Sequence, residues 1–347
     1  MADFDKATRA AWDRGFKNQV ALSIPLFAML YEHHRIIFKG GNETVVTMQK
    51  GTTEGLSQAY FMNEPLSGGR TDVLEQATFK TKYMQHPVQY DGRDVVENKG
   101  GVATAPLDTI KLVTEISQDG FKRALQALFW TAGSDSHTES NSRNFTSVPQ
   151  ALTHDVPYGG LERTIGSSTN DWFQGASPGT IYTDQGTAVA PSLANIAVWA
   201  DVCRRHTREG LDGRGNARNQ LYMFVPEGIF QDIRVQAEAK SALVKPSKMA
   251  FKYGFQAINV HDVEIVKSSW MTLANSAGYT DRSASICMLS PETWQFRVSP
   301  DRRFRHTPFI WQGEHSGGID AYMARILLAG TLTCKMPRAN MLLLAVA

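Results

Sequence analysis

Residues 106–133 read PLDTIKLVTEISQDGFKRALQALFWTAG, and the spacing of their apolar side chains governs how the other segments can be arranged. Ile110, Val113, Ile116, Phe121, Ala124, Leu125 and Leu128 recur mostly at steps of three and four, which places them on one face of an α-helix. Lys111, Glu115, Gln118, Asp119, Lys122 and Arg123 fall mostly off that stripe. Pro106 suits a first helical turn, and Gly133 suits the position after the last one. At ~1.5 Å per residue the rod is about 40 Å long, enough to cross a domain as a half-buried spine. Gly120, in mid-helix, costs roughly 1 kcal/mol against alanine, so a close crossing by another segment, or a bend, is expected there.

Upstream, the texture is that of strands around a glycine-rich tip. Thr44–Met48 is short and β-branched, and Ala77–Val88 partly alternates apolar and polar side chains. Gly51, Gly55, Pro65, Ser67, Gly68 and Gly69 lie between them. A two-stranded arm cannot bury both faces by itself, so residues 40–90 are expected to make few contacts with their own core. Before the arm, Phe4, Ala7, Ala11, Trp12, Phe16 and Val20 are spaced for one helical face, with a break at Pro25. Exposed aromatics on a terminal helix call for a neighbour's surface.

Downstream of the spine, residues 153–179 carry Tyr158, Trp172 and Phe173 on loop-forming sequence. Residues 191–209 form a second helix, with Leu193, Ile196, Ala197, Ala200 and Val202 inward and Arg204, Arg205, His206 and Arg208 near its C-terminal end. Asn219–Pro226 reads as a buried strand, Glu227–Lys240 as a helix and Ala257–Ile265 as a strand. Ser285–Leu289 and Thr293–Val298 read as a pair completing an α/β-like body, and residues 319–347 as a terminal strand pair.

Composition narrows the function. The chain has 347 residues, 42% of them hydrophobic, enough to bury a core. Its net charge is +2, from 36 Lys+Arg against 34 Asp+Glu, so no global field favours nucleic acid or membrane as main partner. Cys203, Cys287 and Cys334 are far apart and read as buried thiols of a reducing compartment. The run Val20–Leu30 is interrupted by Pro25 and too short to span a bilayer. The sequence holds no GxxxxGK[ST], GxGxxG or HExxH, and in Gly313–Gly317 the serine falls one position late for a nucleophile elbow. His33 and His34 are adjacent, which splays their rings and makes a poor chelate. An enzyme reading would have to assemble His154, Asp155, His261, Asp262 and Glu264 at a subunit contact. The densest basic cluster is Asp301-Arg302-Arg303-Phe304-Arg305-His306, more suited to answering carboxylates than to gripping a nucleic acid on a chain of this charge.

This order of parts, with the Tyr158-Gly159-Gly160-Leu161-Glu162-Arg163 loop leading to Trp172 and the terminal Cys334-Lys335-Met336-Pro337-Arg338-Ala339-Asn340 stretch, resembles the major capsid proteins of tailed bacteriophages with the Hong Kong 97 fold. The resemblance implies an α+β subunit with an N-terminal arm (1–34), an extended β-hairpin called the E-loop (35–97), a peripheral P-domain on the spine helix (98–212), an axial A-domain (213–319) and a C-terminal return to the P-domain (320–347). It implies an icosahedral shell around double-stranded DNA, built by self-assembly into hexamers and pentamers, with scaffold, portal and decoration proteins as possible partners. Packaged DNA would be held weakly, with no cofactor, no metal, no membrane and no catalysis. Such a subunit is made in the host bacterial cytoplasm and resides in the virion. The inter-subunit contacts expected on this reading are Trp12, Phe16, Lys50, Arg70, Lys80, Lys82, Arg302, Arg303 and Arg305. Lys50, Lys80 and Lys82 fall in the expected arm, but no asparagine partner for a covalent cross-link is identifiable. An encapsulin-like cargo shell would share the fold, and an oligomeric α/β enzyme is the alternative of a different class.

Overall fold

The computed structural model describes residues 24–49, 74–92, 105–130, 145–152, 158–161, 191–205, 220–239, 244–245, 253–268, 285–312 and 320–343. In chain order the helices are α1 (Pro25–Glu32), α2 (Ala105–Trp130), α3 (Val148–Leu152), α4 (Leu193–Arg205) and α5 (Glu227–Ala239). The strands are β1 (Ile36–Phe38), β2 (Glu43–Gln49), β3 (Leu74–Lys80), β4 (Lys82–Asp91), β5 (Leu221–Val225), β6 (Val244–Lys245), β7 (Ala257–Val260), β8 (Val263–Lys267), β9 (Ile286–Leu289), β10 (Trp294–Val298), β11 (Arg305–His306), β12 (Ile310–Trp311), β13 (Ala321–Cys334) and β14 (Met341–Leu343).

The spine is α2, 26 residues long. Its buried stripe runs through Thr114, Gln118, Phe121, Leu125 and Phe129, steps of three and four. Ile116, expected on that stripe, is instead 62% exposed, and Gln118, expected outside, is buried. The stripe can include Gln118 because its amide meets the His306 ring at 3.3 Å, so the buried polar group has a partner. The close crossing expected at Gly120 is present: a β-carbon there would stand 3.3 Å from the His86 ring, where β4 passes.

Two six-stranded sheets organise the rest. In the first, β13 is central; β4 pairs antiparallel along it from Asp91 opposite Ala321 to Lys82 opposite Gly330. The other side of β13 is taken successively by β12, β11 and β10. The outermost strand beside β10 is β1, which runs parallel to it. Phe27, Phe121, Phe129, Phe296, Phe304 and Ile326 fill the core between this sheet, the spine and α1. The second sheet has the order β14-β9-β5-β8-β7-β6. It buries Met223, Ile265 and Met288 in one core with Trp199 of α4 and Phe230 and Ile233 of α5.

Four expectations are corrected. Pro25 opens α1 rather than only breaking a helix, since its missing N–H costs nothing in a first turn. Ala257–Ile265 is not one strand but a hairpin: His261 and Asp262 have φ of 53° and 60°, the left-handed pair that a two-residue turn between twisted strands requires. Strands β9 and β10 lie in different sheets, as do β13 and β14, so neither couple is a hairpin. Residues 40–90 were expected to stay clear of the core, yet Val46, Ala77, Phe79 and Val88 belong to it and all of β4 is paired within the first sheet. In the β2–β3 ribbon, Thr44, Val46, Ala77 and Phe79 turn one face inward while Val45 and Leu74 stay out.

Candidate functional site

Of the five residues an enzyme reading would assemble, His261 and Asp262 have a structural role here. His154 and Asp155 lie outside the described residues. His261 and Asp262 form the β7–β8 turn, and the His261 carbonyl accepts a hydrogen bond from Arg204 Nη2 at 3.1 Å, which ties α4 to the hairpin. Glu264 is fully buried, in register opposite Tyr222 of β5. Near them the Tyr222 hydroxyl meets His33 Nε2 at 3.0 Å, and the Tyr253 hydroxyl donates to Glu32 Oε2 at 2.6 Å. Burial raises the Tyr222 pKa, with Glu264, Glu32 and Tyr253 adding to the rise, so the phenol stays protonated and able to donate. This cluster fastens the end of α1 to the second sheet. Burial also pushes the Cys203 thiol up to about 12, which makes it unreactive. Among the described residues, no three His, Cys, Asp or Glu side chains are placed to hold a metal.

Polar contacts that sequence reading could not supply cluster where the two sheets join. The connections β9–β10 and β13–β14 cross between sheets side by side, and the buried side chain of Asn340 ties them together. Its Oδ1 accepts from the Ser290 backbone N–H at 2.8 Å and from Trp294 Nε1 at 2.9 Å, while its Nδ2 donates to Thr293 Oγ1 at 2.9 Å and to the Met336 carbonyl at 2.9 Å. Just upstream, the Tyr158 hydroxyl accepts from the Cys334 N–H at 2.7 Å. Tyr158 and Leu161 exchange backbone hydrogen bonds of 3.0 and 3.1 Å around Gly159 and Gly160, whose φ values are 63° and 77°. The Gly159 carbonyl receives the Thr78 N–H at 2.9 Å, and the Tyr158 and Phe79 rings meet edge-on at 4.9 Å. This small turn therefore clips the base of the β2–β3 ribbon to the body. A second clip is Arg297: its guanidinium donates to the Lys39 and Gly40 carbonyls at 3.2 and 2.7 Å and to Thr44 Oγ1 at 2.7 Å.

The basic cluster is displayed by an unusual backbone. Phe304 has φ of 51°, a left-handed conformation that costs a bulky residue on the order of 1–3 kcal/mol. The inversion plants the Phe304 ring in the core, 6.0 Å from both Phe27 and Phe121, and leaves Arg302 and Arg305 exposed. Arg302 lies over the Tyr83 ring at 5.4 Å and Arg303 over the Phe38 ring at 4.1 Å. Of the other contact residues expected from the sequence, Lys80 is exposed at the end of β3, whereas Lys82 is only 8% exposed and so is buried in its own chain. Its position explains this: Lys82 opens β4 opposite Gly330 and, by strand alternation, shares the inward face with Val88. Trp12, Phe16, Lys50 and Arg70 lie outside the described residues. Arg297 and Asn340 were missed because their partners are far away in sequence.

No protein-family model matches this chain, and no curated protein matches its sequence. Solved structures do. The chain is similar to a subunit of the capsid asymmetric unit of cyanophage A-1(L), with 11% sequence identity over 90% of both chains and a TM-score of 0.62. It is also similar to a capsid chain of a native GTA particle, with 11% identity over 92% of this chain and 91% of the other and a TM-score of 0.50. The chain thus has the mixed α+β fold of these capsid subunits, the Hong Kong 97 type that its order of segments resembles.

Proposed function

We propose that this chain is the major structural subunit of an icosahedral shell that encloses double-stranded DNA in a tailed bacteriophage, assembling with itself into hexamers and pentamers. The observation that carries this reading is a fold shared with a cyanophage capsid subunit over 90% of both chains. A likeness of that extent leaves little of the chain for a separate catalytic domain. The reading assigns the segments 1–34, 35–97, 98–212, 213–319 and 320–347 to arm, hairpin, P-domain, A-domain and return, and makes Trp12, Phe16, Lys50, Arg70 and Lys80 contacts to neighbouring copies. Residence in the virion after synthesis in a bacterial cytoplasm follows from the same reading, with scaffold, portal and decoration proteins as further partners. Among the described residues no helix is long and apolar enough to cross a membrane.

Negative-stain micrographs of the purified protein test this directly: shells, tubes, hexamers or pentamers are expected, and a small defined oligomer would count against it. Particles recovered from producing cells should hold nuclease-protected duplex DNA; protein cargo in its place would favour an encapsulin-like container. Deleting residues 1–20 should leave the subunit soluble and impair assembly.

A further inference from the structure

We propose that the outer face of the first sheet is a docking surface for a second copy of this chain, whose carboxylates it grips through Arg302, Arg305 and Arg325 with Arg303 at its edge. The proposal deepens the shell reading and rests on it. The face is defined by strand alternation. On β4 and β13, Val88, Ala324, Ile326 and Leu328 point into the core, while Tyr83, Pro87 and Arg325 project to the other side. Register puts Arg305 of β11 on that same outer side, opposite Leu327, and Ile310 of β12 opposite Met323.

Several observations point to a protein surface carrying carboxylates. The left-handed turn at Phe304 leaves Arg302 and Arg305 exposed, with Arg303 half-buried, around a buried ring. Arg302 and Arg303 lie over aromatic rings that are themselves 59% and 49% exposed, which favours a cation in place, and among the described residues their guanidinium N–H groups have no hydrogen-bond acceptor. Among the described residues, no carboxylate forms an ion pair with Arg302, Arg303, Arg305 or Arg325. Arginine interleaved with exposed Tyr83 and Ile310, rather than with lysine, is the composition of a protein–protein contact. A duplex would need a wider basic surface than a chain of net charge +2 offers.

The shell reading makes the partner another copy of this chain. With 36 basic and 34 acidic residues, the chain carries carboxylates elsewhere that can answer an arginine-rich face. The patch proposed is on α5, whose exposed side carries Glu227, Asp232 and Glu238; Glu227 pairs with Lys267 at 2.5 Å and Glu238 with Arg234 at 2.7 Å, so one negative charge is left over and the paired carboxylates would share their oxygens with the incoming arginines. The arginine face belongs to the first sheet and α5 to the second, so the contact joins two different patches. Such a heterologous contact propagates beyond a dimer, into rings where the rotation between copies closes, as the shell reading requires.

A charge swap tests this with the full chain. The variant R302E/R305E/R325E and the variant E227R/D232R/E238R are each expected to fold, by circular dichroism and melting, but to form no rings or shells at concentrations where the unmodified protein does, a loss of at least about tenfold in assembly affinity. Mixed together they should recover even-membered rings, because alternating copies restore opposite charges at every contact. A folded triple-glutamate variant that assembles like the unmodified protein would overturn the proposal, as would a mixture that fails to recover rings. Assembly that requires added duplex DNA and is lost with DNA binding in the triple-glutamate variant would overturn it in favour of a nucleic-acid surface. An unmodified protein that forms no rings or shells would overturn the shell reading itself, a distinct result. Should triple reversal prevent folding, R302Q/R305Q is the variant to compare, with the same outcomes deciding.

Discussion

The hydroxyl of Tyr158 accepts the backbone N–H of Cys334 at 2.7 Å, joining a glycine turn to the last residue of the long central strand across 176 positions of sequence. Both groups are buried, and the Tyr158 ring also packs against Phe79 at the base of the β2–β3 ribbon. Three distant parts of the chain therefore share one side chain. Tyr158→Phe keeps the ring and deletes the acceptor, leaving a buried N–H without its partner. The expected cost is about 1–3 kcal/mol, read as a lower urea midpoint at unchanged slope.

The two glycines after Tyr158 should respond unequally. Alanine at Gly159 would place a β-carbon 2.6 Å from the Ala77 β-carbon, whereas at Gly160 nothing lies within 4 Å. Both positions have positive φ, so both substitutions carry the backbone penalty of about 1 kcal/mol. Gly159→Ala adds an overpacking cost of roughly 1–3 kcal/mol. Equal denaturation midpoints for the two variants would contradict this packing.

Arg297 closes the entrance to the ribbon through three hydrogen bonds to residues 39, 40 and 44. Arg297→Ala should accelerate amide exchange in residues 39–47 and 76–80 several-fold more than in β5 or β8, which do not touch it. Uniform acceleration would mean that the side chain supports global stability and not the ribbon base.

The ring of His86 lies against the spine at Gly120, and desolvation lowers its pKa from 6.5. The folded state therefore favours the neutral ring. Its contribution is present above the unfolded value and is lost as pH falls through the lower folded value. Stability should drop as pH falls below the ordinary histidine value of 6.5 in the unmodified protein, and drop less in His86→Gln; parallel pH profiles from urea titrations would refute the assignment.

Leu125 is completely buried on the spine. Leu125→Asp would place an unpaired carboxylate in the core and should remove about 4 kcal/mol or more of stability, seen as loss of soluble folded protein. A variant with native-like melting would show that this face of α2 is not the one packed.

Local pattern determined a good part of this protein. The spine, α4, α5, β5, β9 and β10 were legible because their signals reside in neighbouring residues: apolar side chains at three- and four-residue steps, or short β-branched runs bounded by turn formers. Even the crossing at Gly120 could be read, since a glycine that weakens a helix needs a reason, and His86 supplies it. Tertiary structure decided everything that depends on which distant segments meet. An apolar run announces a strand but not its sheet, so β9 and β10, like β13 and β14, were read as pairs although each couple is divided between two sheets. The stripe of α2 includes Gln118 and omits Ile116 because His306 offers a hydrogen bond at one place and no core covers the other. The basic run 301–306 was plain in the sequence, but the left-handed Phe304, which buries one ring and leaves Arg302 and Arg305 exposed, is set by packing against Phe27 and Phe121. Period and propensity act over a few residues, whereas sheet partners, buried polar pairs and strained turns are fixed by contacts that exist only once the chain has closed on itself.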